Sequence, residues 1–169
     1  MLPEVYKVLI ITLSDRASTG EYEDLSGPRV RERLEEFFSS SGLKCQTELQ
    51  LIPDDSEKLH RILSGGSGKY DLIVTTGGTG IGPRDITVDT VRPLLDKEIP
   101  GIMEYIRVKY GAEKPGAPLS RGVAGILGKS LVYTLPGSVR AVDEYLDVIV
   151  KTLLHTFYMQ HGIDMHPKH

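Results

Sequence analysis

The stretch from Asp71 to Asp85 reads DLIVTTGGTGIGPRD. Its first residues, Asp71 to Thr75, form a short apolar, β-branched run of the kind expected for a strand buried on both faces. The run passes without a break into glycine-rich chain, with Gly77, Gly78, Gly80 and Gly82 close together. Glycine lets the backbone approach an anion closely and adopt positive φ, and the loop threonines add hydroxyl donors. The spacing is not that of the dinucleotide fingerprint, and the Gly-Lys-Ser/Thr ending of the Walker phosphate loop is absent. Taken alone, the loop reads equally as a tight strand-to-helix connection, for which glycine is the ordinary residue.

Upstream, the chain alternates strands and helices. Val5–Leu13 is apolar almost throughout and predicts a central strand, followed at once by polar Ser14, Asp15 and Arg16. From Gly27 to Ser41, Val30, Leu34, Phe37 and Phe38 recur at helical spacing, with Pro28 near the start and Gly42 past the end. Leu43–Ile52 alternates as a second strand, with Cys45 on the side of Leu43, Thr47, Leu49 and Leu51 and therefore expected as a packed core thiol. Pro53 breaks it before a shorter helix carrying Leu59, Ile62 and Leu63, which the GGSG at Gly65–Gly68 closes.

Downstream, helical pieces are expected near Thr87–Leu95 and Ile102–Lys109, then a loop around Gly111–Pro118, then two short strands within Gly122–Leu135 about Gly128-Lys129. Ser138 is a plausible N-cap for a long helix whose face is lined by Val139, Val142, Leu146, Ile149, Val150, Leu153, Leu154 and Phe157. This alternation predicts a three-layer α/β fold, a mainly parallel sheet flanked by helices on both faces. With 169 residues and no interdomain linker, the chain reads as a single domain over 1–169, with 161–169 expected as a flexible tail.

Bulk properties exclude several function classes. The composition is 40% hydrophobic and 25% charged, and no apolar stretch is long enough to span a bilayer. The apolar run at the amino terminus leads into a motif instead of a cleavage site, so no membrane partner is expected. A net charge of −3 with scattered Lys and Arg speaks against nucleic acid as a partner. The single cysteine cannot form an internal disulfide and suits a reducing, cytoplasmic setting. His161, Asp164, His166 and His169 are read as a polar terminus, not as a metal cluster.

In an open parallel sheet, ligands bind beyond the carboxyl ends of the strands. Three loops fall there: Ser14–Ser18, Pro53–Asp55 and Thr75–Asp85. Asp54 and Asp85 are the acids that could hold magnesium against substrate phosphates, since that hard cation prefers oxygen ligands. Each also has a structural reading: Asp54 with Glu57 as a helix capping pair, and Asp85 as an ion-pair partner of Arg84.

At these same residues the sequence resembles the MogA and MoaB family of molybdenum cofactor biosynthesis proteins. The shared pieces are SDRAS at Ser14–Ser18, IPD at Ile52–Asp54, TTGGTG at Thr75–Gly80, RDIT at Arg84–Thr87, IPG at Ile99–Gly101, LSR at Leu119–Arg121 and LPGS at Leu135–Ser138, in the family order. The chain departs from the pattern at Ile81-Gly82-Pro83, where some members carry a second basic residue before the aspartate, and at Val88, where proline is common.

The resemblance implies the MogA/MoaB-like molybdopterin-binding fold, a homotrimer, and transfer of AMP from ATP to the terminal phosphate of molybdopterin with release of pyrophosphate. It implies ATP and molybdopterin as substrates, Mg2+ as cofactor, and a molybdenum-insertion protein as downstream partner. It assigns Asp54 and Asp85 to catalysis and to the magnesium ion. It assigns Ser14, Asp15, Thr76, Gly78, Thr79, Gly80, Asp89, Gly101, Ser120, Pro136 and Gly137 to molybdopterin. Arg84, Arg121 and Arg140 are candidate phosphate partners. Two alternatives stay open: a MoaB-like molybdopterin-binding or carrier protein without adenylyl transfer, and a related enzyme with another phosphorylated substrate.

Overall fold

Strand β1 (Tyr6–Leu13) lies inside the sheet, and all of its side chains but Lys7 are buried, as its unbroken apolar run requires. In the computed structural model, which describes residues 1–163, it is flanked by β2 (Cys45–Ile52) and β3 (Leu72–Thr76), both parallel to it. The chain leaves β1 through a single helical turn, α1 (Asp15–Ser18), and the longer α2 (Ser26–Ser40) to reach β2 on one side. It then returns through α3 (Ser56–Gly66) to β3 on the other side of β1.

The connection therefore reverses direction between β1 and β3, and at such a switch point the loops diverge and open a crevice. After α4 (Thr87–Val91), the short β4 (Lys97–Glu98) and α5 (Pro100–Gly111), the hairpin β5 (Ala124–Leu127) and β6 (Ser130–Leu135) completes the sheet. The strand order is β2-β1-β3-β6-β5-β4. Its β2-β1-β3-β6 part is parallel, while the pairings of β6 with β5 and of β5 with β4 are antiparallel, so the sheet is mainly parallel but mixed.

The helices cover both faces. The larger core packs α2, α5 and the long α6 (Val139–Gln160) on one face, with Tyr6, Phe38 and Phe157 in mutual ring contact. Leu9, Ile11, Ile73 and Val132 turn to the other face, where Leu59, Leu63, Val88 and Val91 of α3 and α4 cover them. Ser138 caps α6 as expected, accepting from the Ala141 amide at 3.2 Å.

Three expectations need correction. The piece foreseen as one helix over Thr87–Leu95 tightens after Val91 into a 3-10 turn at Arg92–Leu94, where Pro93 lacks the amide hydrogen an α-helix would use. Cys45 is only half-buried, because β2 is the edge strand; its thiol is pushed up by burial and by the charge of Glu35. Leu51, expected on the same covered side, is 40% exposed. The expected tail falls largely on residues 164–169, which with Asp164, His166 and His169 lie outside the described residues.

Candidate functional site

The carboxyl ends of β1, β2, β3 and β6 meet along one edge, joined by bonds from Ser14 N to Ile52 O and from Gly77 N to Leu135 O, each 2.9 Å. A cleft of about 290 Å³ opens there, lined by Ser14, Asp54, Gly78, Arg84, Asp85 and Gly137 among others. The structure thus brings together six of the residues singled out in the sequence.

The two acids are held differently. Asp54 and Asp15 are locked reciprocally: the Asp15 amide donates to Asp54 Oδ2 at 3.1 Å, and the Asp54 amide donates to Asp15 Oδ1 at 2.9 Å. The cap of α3 is not Asp54 but Asp55, which accepts from the Lys58 amide at 2.9 Å; the Asp54–Glu57 capping pair is not formed, and Asp54 is left for the cleft. Burial pushes the Asp54 carboxyl above the usual carboxylate range, and the charges of Asp15 and Asp85 add to the shift.

Asp85 accepts from the Gly82 amide at 2.8 Å. It does not pair with Arg84, which reaches instead across the cleft to Asp15 with two bonds of 2.9 Å and to the Asp54 carbonyl at 3.0 Å. That guanidinium holds the Asp15 carboxyl below its ordinary range, helped by the Asp54 amide. Among the described residues, Oδ1 of Asp54 and Oδ1 of Asp85 carry no hydrogen bond.

The glycines serve two separate requirements. Gly77 and Gly78 have φ of +97° and +67°, where other residues are strained. Gly80 and Gly82 do not; a Cβ at either would stand 2.7 or 3.0 Å from Asp85 Oδ2, so their bareness admits that carboxylate. The loop is anchored beneath by Thr87, whose buried hydroxyl donates to the Gly77 carbonyl at 2.8 Å.

Thr76 is fully buried and donates its hydroxyl to the Pro136 carbonyl at 2.8 Å, so, against the expectation that it contacts molybdopterin, it stands behind the wall of the site and supports the segment after β6. Thr79 accepts from the Ser120 hydroxyl at 3.1 Å. Arg121 is committed to holding the loop: it donates to the carbonyls of Gly80 at 2.8 Å and Asp85 at 3.1 Å, and pairs with Asp89 at 2.9 and 3.0 Å. Asp89, its carboxyl lowered by that hydrogen bond, borders a shallow groove with His60 and Arg61 and not the cleft of the two acids. Gly101 stands in the first turn of α5 and lines neither the acidic cleft nor the one between α5 and the start of α6.

A second cleft of about 340 Å³ lies on the far side of the segment after β6, between α5 and the start of α6. Ser120, Pro136 and Arg140 line it, together with Arg107, Tyr110, Lys114, Ser138 and Tyr145. The segment is extended at Ser138, and its residues alternate: Pro136, Ser138 and Arg140 face this cleft, Gly137 and Val139 the acidic one. Arg140 also pairs with Glu144 at 3.2 Å, and Glu144 meets Lys114. Arg107, which donates to the Gly122 carbonyl at 3.0 Å, was not foreseen, because on the amphipathic α5 it reads as any solvated cation. Tyr22 and Leu25 on the rim of the acidic cleft were also missed: they sit in an aperiodic loop with no sequence signal.

Among the described residues no group of three or more His, Cys, Asp or Glu is arranged to hold a metal ion. Asp54 and Asp85, each with one oxygen free, could nonetheless hold a magnesium ion, provided that its remaining ligands were supplied from outside the protein. None of the described helices is long and apolar enough to cross a membrane.

The sequence and the fold are shared with known proteins. The chain is 39% identical over 159 residues to the molybdopterin adenylyltransferase of Pyrococcus furiosus, covering 90% of each. It is 37% identical to gephyrin of Dictyostelium discoideum over 90% of its own length, but spans only 22% of that protein. The solved structure of the molybdopterin biosynthesis Mog protein from Mycobacterium ulcerans superposes with a TM-score of 0.81 at 32% identity, over 95% of this chain and 99% of that one. Residues 9–156 match the family described as "Probable molybdopterin binding domain", and the chain belongs to that family of molybdenum cofactor biosynthesis proteins.

Proposed function

We propose that the protein is a molybdopterin adenylyltransferase that joins AMP from ATP to the terminal phosphate of molybdopterin and releases pyrophosphate. The observation that carries this is the pairing of Asp54 and Asp85, each with an unengaged oxygen, beside a loop of bare backbone at the switch point of the sheet. The triphosphate lies along the acidic cleft and the pterin in the cationic second cleft, where Arg107, Lys114 and Arg140 suit an anionic substrate. The two substrates meet at Gly77–Gly80.

An oxygen of the molybdopterin phosphate attacks the α-phosphorus, the new P–O bond forms, and the bond to the β-phosphate oxygen breaks so that pyrophosphate leaves. The protein's contribution is alignment and charge placement, and no covalent enzyme intermediate is required. Gly78, which lines the cleft, lets phosphate approach the backbone, and Arg84, 65% exposed, can exchange Asp15 for a phosphate oxygen. Asp54 and Asp85 would hold magnesium, which when bound offsets the charge of the triphosphate. In keeping with the family resemblance, the protein works as a cytoplasmic homotrimer and hands its product to a molybdenum-insertion protein.

Pyrophosphate release from ATP, magnesium and molybdopterin tests this assignment. The wild type should turn over, and Asp54→Ala and Asp85→Ala should each lose about a hundredfold or more, since charge stabilisation at a phosphoryl group amounts to several kcal/mol. Near-normal release in both variants would refute the roles given to the acids. Binding of molybdopterin by the wild type without any release would make it a carrier, and turnover of another phosphorylated substrate with no response to molybdopterin would make it a different enzyme.

A further inference from the structure

Three large apolar side chains stand exposed around the mouth of the acidic cleft: Tyr22, Leu25 and Val139, at 46%, 59% and 36%. Exposed apolar groups on a soluble domain are ordinary when scattered, but these line one cleft whose floor is carboxylate and bare backbone. Folding does not account for them. Leu25 occupies the N-cap position of α2 without making a capping bond. That task falls to Asp24, which accepts from the amides of Ser26 and Gly27 at 3.1 Å each and from the Thr12 hydroxyl at 2.7 Å, and so fixes the loop that presents Tyr22 and Leu25.

Tyr22 itself is held at two points. Its hydroxyl is 2.8 Å from Ser14 Oγ, on the residue that caps α1, and the Arg16 guanidinium lies 5.0 Å from the ring centroid. A flat aromatic side chain oriented in this way, with one face under a cation, offers the opposite face to a planar ligand.

We propose that Tyr22, flanked by Leu25 and Val139, is the subsite for the purine ring of ATP, the ring of Tyr22 stacking on the base while the triphosphate runs down to Asp54 and Asp85. The proposal rests on the reading of this cleft as the nucleotide site. It adds a specificity-determining residue: the acids and the glycine loop serve any polyphosphate, whereas Tyr22 separates a nucleotide from one that carries no base.

The test compares ATP with inorganic tripolyphosphate, each titrated calorimetrically in the presence of magnesium into wild type, Tyr22→Phe and Tyr22→Ala. Tyr22→Ala should weaken ATP about 5- to 100-fold, the range that one base–aromatic stack supplies, and leave tripolyphosphate unchanged. Tyr22→Phe keeps the ring and loses only an exposed hydrogen bond, so ATP affinity should stay within about threefold. In steady state the same loss should appear in KM for ATP and not in KM for molybdopterin.

Equal weakening of ATP and tripolyphosphate in Tyr22→Ala would mean a merely structural role and overturn the proposal, as would ATP affinity untouched by the loss of the ring. Wild type that binds ATP yet releases no pyrophosphate would sink the adenylyl-transfer reading while leaving the base subsite standing. Wild type that binds no ATP would sink the subsite.

Discussion

Gly78 shows how much of this site is decided by single atoms. Its φ of +67° is one that residues with a Cβ rarely adopt, and the space a Cβ would need is filled by the Thr87 hydroxyl. Gly78→Ala is expected to cost about 1–3 kcal/mol in urea unfolding, through left-handed strain and displacement of the buried Thr87 bond to Gly77. Activity should fall further than stability if the loop receives the phosphates as proposed, because the same displacement moves its backbone; a variant with normal turnover would show that the loop need not hold this form. The sequence revealed that glycines mattered here, since four of them crowd six positions from Gly77 to Gly82. It did not reveal that two serve backbone conformation and two serve the Asp85 carboxylate, a distinction that depends on where the chain folds back. Asp54 is similar: next to a second aspartate, nothing local says which of the pair caps α3.

Among the elements, the packing of α2 against α6 is held at its rim by charge. Arg29 and Arg33 both reach Asp143, at 2.8 and 2.7 Å, and Arg33 also reaches Asp147 at 2.6 Å. Partial burial works to raise the Asp143 carboxyl, but the two guanidinium groups outweigh it and leave the group below its ordinary range. A carboxyl lowered on folding contributes stability above its unfolded value, and that contribution is lost as the pH falls through the folded one. Asp143→Asn should therefore lower stability at pH 7 by about 1 kcal/mol, the side chain being only partly screened from water. It should also flatten the loss of stability on acidification below the ordinary carboxylate range; thermal melts across that range check both. The helices and strands themselves were legible in periodicity. The cross-links between them, such as Arg107 to Gly122 or Arg121 to Gly80, were not, because a cation on a helix or in a loop carries no mark of its distant partner.

At the scale of the whole molecule, the β-α-β-α-β reading held because each buried strand is a continuous apolar run, while β4, two residues long, leaves no pattern to find. Chain order also does not give strand order: that β3 lies beside β1, opposite β2, is what opens the crevice, and it follows from which face each helix covers. Tyr105 and Val108 on α5 are exposed apolar side chains that the proposed trimer would have available to bury. The trimer proposed above should appear in light scattering as three times the 18.7 kDa chain, and a concentration-independent monomer would exclude it.

The strip of chain from Pro136 to Arg140 lines two clefts at once, with successive residues on opposite sides. Its tolerance to change is therefore lopsided. Swapping one residue for another alters a single chamber, whereas adding or removing one before Ser138, where the chain is still extended, would exchange the faces of its neighbours and draw the cap away from the start of α6. Length, more than identity, is what this partition must conserve.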